Sequence, residues 1–215
     1  MDFNYMSYLK IANEFLRSKK FIIAFASLAA LLLPAALISS AGEQKEEYLT
    51  MSTIGSSLKA DNYFPNSNNT VNISEPIKWQ IKIYNGMDRS EFISLRLKVL
   101  NSTQTIPNDV SNSPSPSPEL FEYHQLIPKN SEVAVPLEWS IIDIEKQENQ
   151  VTIRTLMING EIIDNLDIQS MNGQDLRIVL ELWEYQNDTS DFSFKWSSNN
   201  HERSVWNQIW FNIKN

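Results

Sequence analysis

Ile77-Lys78-Trp79-Gln80-Ile81-Lys82-Ile83-Tyr84 is the stretch that decides the fold. Trp79, Ile81 and Ile83 fall on one side of an extended chain, while Lys78, Gln80 and Lys82 fall on the other. That is the two-residue period of a strand with one buried and one wet face. Ile93, Leu95, Leu97 and Val99 alternate with Ser94, Arg96 and Lys98 in the same way, and Asn85-Gly86-Met87-Asp88 between the two runs is a turn signal.

Working outward, the same period predicts strands at 132–141, 151–158, 161–164, 176–185, 192–196 and 205–213. Ile158-Asn159-Gly160-Glu161 is the sharpest local signal, because Asn-Gly supplies the positive φ angles of a type I′ turn and makes its flanks a hairpin. No stretch of a dozen residues after residue 41 reads better as helix than as strand. Seven to nine such strands predict a mainly β domain over 48–215, two antiparallel sheets packed face to face as an immunoglobulin-like sandwich. The Cys…Trp…Cys hallmark of immunoglobulin domains is missing, so the expectation concerns architecture only.

Upstream, residues 21–40 read FIIAFASLAALLLPAALISS, twenty uncharged and mostly apolar positions. As a helix they match the ~30 Å hydrocarbon core of a bilayer, with Pro34 as a kink. Arg17, Lys19 and Lys20 precede the run, and Glu43, Lys45, Glu46 and Glu47 follow it. The positive-inside rule then predicts a single-pass membrane protein with residues 1–20 in the cytoplasm and the β domain outside, after a spacer at 41–47. A cleaved signal peptide is the competing reading, since Ser39-Ser40-Ala41 resembles a cleavage site. The apolar run is longer than such peptides carry, which favours an anchor. Tyr5, Tyr8, Leu9, Ala12, Phe15 and Leu16 form a helical stripe. It either lies in the headgroup layer, or extends the membrane helix or packs on a partner.

Charge and composition exclude several functions. Four cations and two acids give residues 1–20 a net +2, and residues 21–40 carry none. The overall −8 therefore leaves −10 on residues 41–215, a field that repels nucleic-acid phosphates. Cysteine is absent, which removes thiol nucleophiles, disulfides and thiolate metal sites. Five glycines without a Gly-rich loop argue against nucleotide binding. No cofactor is expected.

Residues 101–118, NSTQTIPNDVSNSPSPSP, hold four of the nine prolines and almost no apolar side chains. They are expected to be a mobile or extended loop, either slack or a binding loop, and the want of aromatic anchors favours slack.

One family resembles this chain. Tyr48-Leu49, Gly55, Ala60-Asp61-Asn62-Tyr63-Phe64-Pro65-Asn66 and Trp79-Gln80-Ile81-Lys82-Ile83-Tyr84-Asn85 follow one another as in the outer domain of the mainly archaeal membrane family called domain of unknown function 1616. Asp175-Leu176-Arg177-Ile178-Val179-Leu180 and Ile209-Trp210-Phe211-Asn212-Ile213 are similar to its closing strands. Here Phe64 interrupts the family's Tyr-Pro pair, and one span stands where members often have several. The resemblance implies an anchored extracytoplasmic β-sandwich and no activity.

Candidate chemistry is sparse. Glu122 and His124 share one face of an expected strand without a third metal ligand, and His201 lies in a polar turn, so no metal site is expected. Glu181/Glu184 and Asp188/Asp191 are acidic pairs of the kind glycoside hydrolysis uses, but such pairs arise freely in so acidic a domain. No G-x-S-x-G nucleophile elbow occurs, and the chain is expected not to be an enzyme. Trp206 and Trp210, with Ile209 and Phe211, make the last strand apolar on both faces. Those two tryptophans are the candidate contact with a membrane or envelope protein, the rivals being an aromatic platform for sugars and ordinary core packing. Sequons begin at Asn68, Asn72, Asn101 and Asn187, all beyond the anchor. The sequence thus predicts a non-enzymatic accessory or structural subunit, with a ligand- or glycan-binding module as the alternative.

Overall fold

The computed structural model describes residues 47–57, 60, 62–65, 68–198 and 201–214, together with Lys19 and Ile23, which are helical. The chain divides into two compact units, Met1–Lys45 and Glu46–Asn215. The leader 1–20, the anchor 21–40 and the spacer 41–47 lie outside the described residues apart from Lys19, Ile23 and Glu47. Among the described residues no helix is long and apolar enough to cross a membrane.

The second unit is mainly β. Its first sheet has the order β1 (Leu49–Gly55), β3 (Ile77–Asn85), β6 (Ser131–Gln147), β7 (Gln150–Ile158), β8 (Glu161–Ile163), with β9 (Ile168–Met171) also on the free edge of β7. The second has the order β2 (Thr70–Val71), β14 (Val205–Ile213), β10 (Leu176–Gln186), β4 (Glu91–Leu100), β5 (Phe121–Ile127), with β11 (Asp191–Ser193) beside β10. β12 (Trp196–Ser198) and β13 (His201–Arg203) form a separate hairpin. Neighbours are antiparallel except β2 on β14. The sequential strands β3, β4, β5 and β6 are shared between two sheets, as in an immunoglobulin-like sandwich.

Each sheet buries one parity of its strands. Ile77, Trp79, Ile81 and Ile83 of β3 face Ile93, Leu95, Leu97 and Val99 of β4 across the core, all at most 5% exposed. Each such Ile or Leu contributes on the order of 1.5–3 kcal/mol. Trp139 of β6 spans the layers, 5.5 Å from the Trp79 ring and 5.2 Å from Phe211 of β14. Asn159 and Gly160 take φ of 50° and 84°, the left-handed pair expected of the Asn-Gly turn, and join β7 to β8.

The Asn85–Asp88 turn does not join two strands of one sheet; it carries the chain across. Asn85 is wholly buried there and replaces the missing ladder bonds. Its amide donates to the carbonyls of Arg89, Ile127 and Pro128, and its carbonyl accepts from Met87 N–H. One side chain thereby pins both crossings between sheets, β3 to β4 and β5 to β6. Three further departures follow from tertiary pairing. β6 runs past residue 141 through a bulge to pair with β7, β9 adds an unforeseen edge, and the expected strand 192–196 is split between β11 and β12.

The long β6 gives the sandwich two distinguishable ends. Its 17 residues span about 50 Å at strand rise. At the Ser131 end, Tyr48 C=O accepts from Gly86 N–H, so the chain enters the sandwich there. Gln147 and the turn into β7 mark the other end.

Candidate functional site

The outer face of the second sheet carries the side chains with chemistry. From the far end towards the entry end run Arg177 and Trp210, then Lys98, then Glu181, Arg96 and Trp206, then Ser94, His124 and Trp183, and last Phe92, Leu126 and Tyr185. Strand parity puts them all outside because their neighbours Ile93, Leu95, Leu97, Ile178, Leu180 and Leu182 face the core.

Residues 101–118 correct the expectation of a mobile loop: they close over the middle of this face. Lys98 Nζ lies 3.0 Å from Glu181 Oε2 and donates to Ser115 C=O at 2.6 Å. Glu181 accepts in turn from Ser115 N–H at 2.8 Å and from Trp183 Nε1–H at 3.1 Å. Both charged side chains are sealed, at 6% and 0% exposure. Composition misleads here because hydropathy registers only the packing of apolar side chains. This one is held by its backbone, through a paired buried charge. Arg177 extends the strap by donating to the carbonyls of Asn101 and Gln104.

The strap also decides what the tryptophans present. Trp206 and Trp210 lie on the parity opposite the core residues Ile209, Phe211 and Ile213. Trp206 Nε1–H donates to Asp109 of the strap and is half-buried. Trp210 is 39% exposed, with the Arg177 guanidinium 4.7 Å from its ring centre. They do not form one open ledge.

The open aromatic surface lies instead at the entry end. Phe92 (38% exposed) packs at 5.5 Å on Phe192 and 5.9 Å on Tyr185, and Leu126 (56% exposed) is its partner across β4 and β5. His124 stacks on Phe192 at 4.8 Å, and its Nε2 lies 3.0 Å from Glu122 Oε1. Burial raises the Glu122 carboxyl, but hydrogen bonds from Ser94 and His124 and the charge of Arg96 hold it below the usual range. Phe92 and Leu126 share their strands' parity with Ser94, Arg96 and Lys98 and with Glu122 and His124, and an apolar residue on that side is the signal for them in the sequence.

Behind this patch the core ends in a carboxyl pair. Arg89 bridges Glu91 at 2.6 Å and Glu184 at 2.9 Å, and both acids are under 5% exposed. Burial, then the hydrogen bond and charge of Glu184, push the Glu91 carboxyl up to about 8. Glu181 and Glu184, paired in sequence, therefore stand on opposite faces of β10 in separate environments. Among the described residues no three His, Asp or Glu side chains gather closely enough to hold a metal ion. His201 is exposed in β13. Of the sequons, Asn68, Asn72 and Asn187 are exposed. Asn101 is part-buried and its amide donates to Gln169 C=O at 2.8 Å.

By fold, then, the chain is a mainly β protein built on two packed antiparallel sheets. No family model and no curated protein matches it. Among solved structures it is similar to the CARDB domain of a Pyrococcus furiosus protein in complex with di-metal ions. That match is 9% identical, covers 79% of this chain and 94% of that one, and has a TM-score of 0.34. A beta-glucosidase from Listeria innocua in complex with gluconolactone is 12% identical, over 74% of this chain and 16% of that one, at a TM-score of 0.29.

Proposed function

We propose that the protein is a non-enzymatic docking subunit, anchored through residues 21–40 with its sandwich outside the cytoplasm, that binds another membrane or envelope protein through the Phe92–Leu126 patch. The observation that carries this reading is the position of the patch. It lies at the end where Tyr48 enters the sandwich, eight residues beyond the apolar run 21–40. In sequence that end is the one nearest the anchor, and the reading looks there for a partner in the same bilayer. Aromatic side chains half-open to water and backed by other rings are the groups that supply interface energy. The division of Glu181 and Glu184 between two faces, with Glu181 sealed under the strap, speaks against the paired-carboxylate chemistry of a glycosidase. The archaeal family resembled by residues 48–213 implies the same placement.

Orientation is tested by single cysteines in this Cys-free chain. Val110, 94% exposed at the tip of the strap, is the outer site, and Ser7 is the inner one. An impermeant maleimide should label intact cells at Val110→Cys and not at Ser7→Cys; the reverse pattern ends the reading. Docking is tested by co-purification from gently solubilised native membranes. Phe92→Ser with Leu126→Ser should lower the melting temperature by only about a few degrees, keep the unfolding cooperative and release the partner. Release by Trp206→Ala with Trp210→Ala instead would move the docking face to β14, and retention in both variants would refute docking through this sheet.

A further inference from the structure

The far end of the sandwich holds a cleft of about 650 Å³. Three turns meet there: the start of the strap after β4, the Glu148-Asn149 turn between β6 and β7, and the 172–175 turn between β9 and β10. Cross-bonds fix them to one another and to the adjoining strands β9 and β14. Asn172 N–H donates to Asn149 C=O at 2.7 Å, Ile213 N–H to Gly173 C=O at 2.7 Å, and Asn101 Nδ2 to Gln169 C=O at 2.8 Å. The cleft is thus preformed, which lowers the entropic cost of occupying it.

Its chemistry is narrow. The lining includes the carboxamides of Asn101, Gln147, Asn149, Gln150, Gln169 and Gln174. Those of Asn101, Gln147, Gln150 and Gln169 are already engaged by Thr103 and Gln104, Glu145, one another and Asp167, whereas Asn149 and Gln174 each keep a donor and an acceptor, the complement of a hydroxyl, which is itself both. Ser102, Thr103 and Ser170 add hydroxyls, and Met171, 76% exposed, supplies the apolar ground. The carboxamides of Asn149 and Gln174 and the carboxylates of Glu148 and Asp175 make no side-chain hydrogen bond among the described residues. Their hydrogen-bonding capacity is open to a ligand. Glu148 and Asp175 keep acidic side chains at φ of 46° and 57°, where glycine or asparagine would be less strained. No lining side chain is cationic, so phosphates, sulfates and uronic acids meet two acids and no counter-charge.

We infer that this cleft binds a neutral oligosaccharide. The site stands at the opposite end from the Phe92–Leu126 patch, so a sandwich docked at its entry end leaves the cleft free. Without an aromatic platform, recognition rests on hydrogen bonds and the affinity falls in the micromolar-to-millimolar range. The test uses the full chain in lipid nanodiscs with cellohexaose, chitohexaose, maltohexaose and mannohexaose as probes and trigalacturonic acid as the anionic control. Binding is read by saturation-transfer NMR and calorimetry. At least one neutral probe should bind and the anion should not. Asn149→Ala with Gln174→Ala should weaken that binding about tenfold or more at an unchanged melting temperature, and Phe92→Ser should leave it intact. Absence of binding by every neutral probe, binding that survives the double variant, or equal binding of the anion overturns the inference, and none of these outcomes bears on docking.

Discussion

Lys98→Met isolates the buried pair beneath the strap. The change keeps the length of the side chain and removes its charge. Glu181, at 0% exposure, then keeps the Ser115 N–H and Trp183 Nε1–H donors but has no counter-ion. Stranding one charge of a buried pair costs on the order of 3–5 kcal/mol, a large part of the ~5–15 kcal/mol that holds an ordinary domain together. For a domain of this size each kcal/mol lowers the melting temperature by about 2–4 °C, so a fall of about 6–20 °C is expected. Thermal unfolding of the full chain in detergent, followed by near-ultraviolet circular dichroism, measures it. Adding Glu181→Leu removes the stranded charge and should recover much of the loss, so that a double-mutant cycle gives a coupling of about 2 kcal/mol or more. Proteinase K reports on the strap separately. Its cuts within 101–118 should appear faster in Lys98→Met, because Ser115 C=O has lost its donor. A single variant within about 0.5 kcal/mol of the parent, or additive losses in the double variant, would show the pair to be solvated and the strap to be slack.

Two further outcomes follow from buried groups elsewhere. The Glu91 carboxyl, raised to about 8 in the fold, keeps its proton between its ordinary titration near 4.5 and 8, while the unfolded chain loses it. Its contribution to stability is therefore complete below pH 4.5 and is lost as pH rises through 8. Unfolding across pH 5–8 should become flatter in Glu91→Gln, and an unchanged slope would contradict the carboxyl pair. Gly55 is the other group: a Cβ there would lie 1.6 Å from Asn62 C=O, so Gly55→Ala must push the Asn62 backbone aside. A loss of about 1–3 kcal/mol is expected in urea unfolding, and a neutral variant would show that the approach relaxes freely.

Strand parity was readable in the sequence wherever one face is buried. Ile77, Trp79, Ile81 and Ile83 needed no partner to be identified, and the Asn159-Gly160 turn carries its own backbone chemistry. Sheet membership was not readable. β3 and β4 alternate equally well whether they are neighbours in one sheet or face one another across a core. What separates them is Asn85, whose carbonyl partners Ile127 and Pro128 lie more than forty residues away. A buried asparagine and one in an exposed turn look identical in sequence.

The outer face shows why the covering of a sheet is harder to see in a sequence than the sheet itself. Parity divides a strand into core side and other side, and the polar residues of the other side read as wet. Here that face has three states: sealed at Lys98 and Glu181, half-covered at Trp206, open at Phe92 and Leu126. The difference is made by a segment whose composition gave it no reason to pack. Its grip is backbone-to-charge, Ser115 N–H and C=O against Glu181 and Lys98, and such bonds leave no trace in side-chain hydropathy. What sequence does record is the exception to parity. An aromatic or leucine on the polar side of a strand must either be covered by the chain or left for something else to cover. Trp206 is half-covered by the strap and Phe92 stays open to water, and only the register of β4, β5 and β14 against the strap tells them apart.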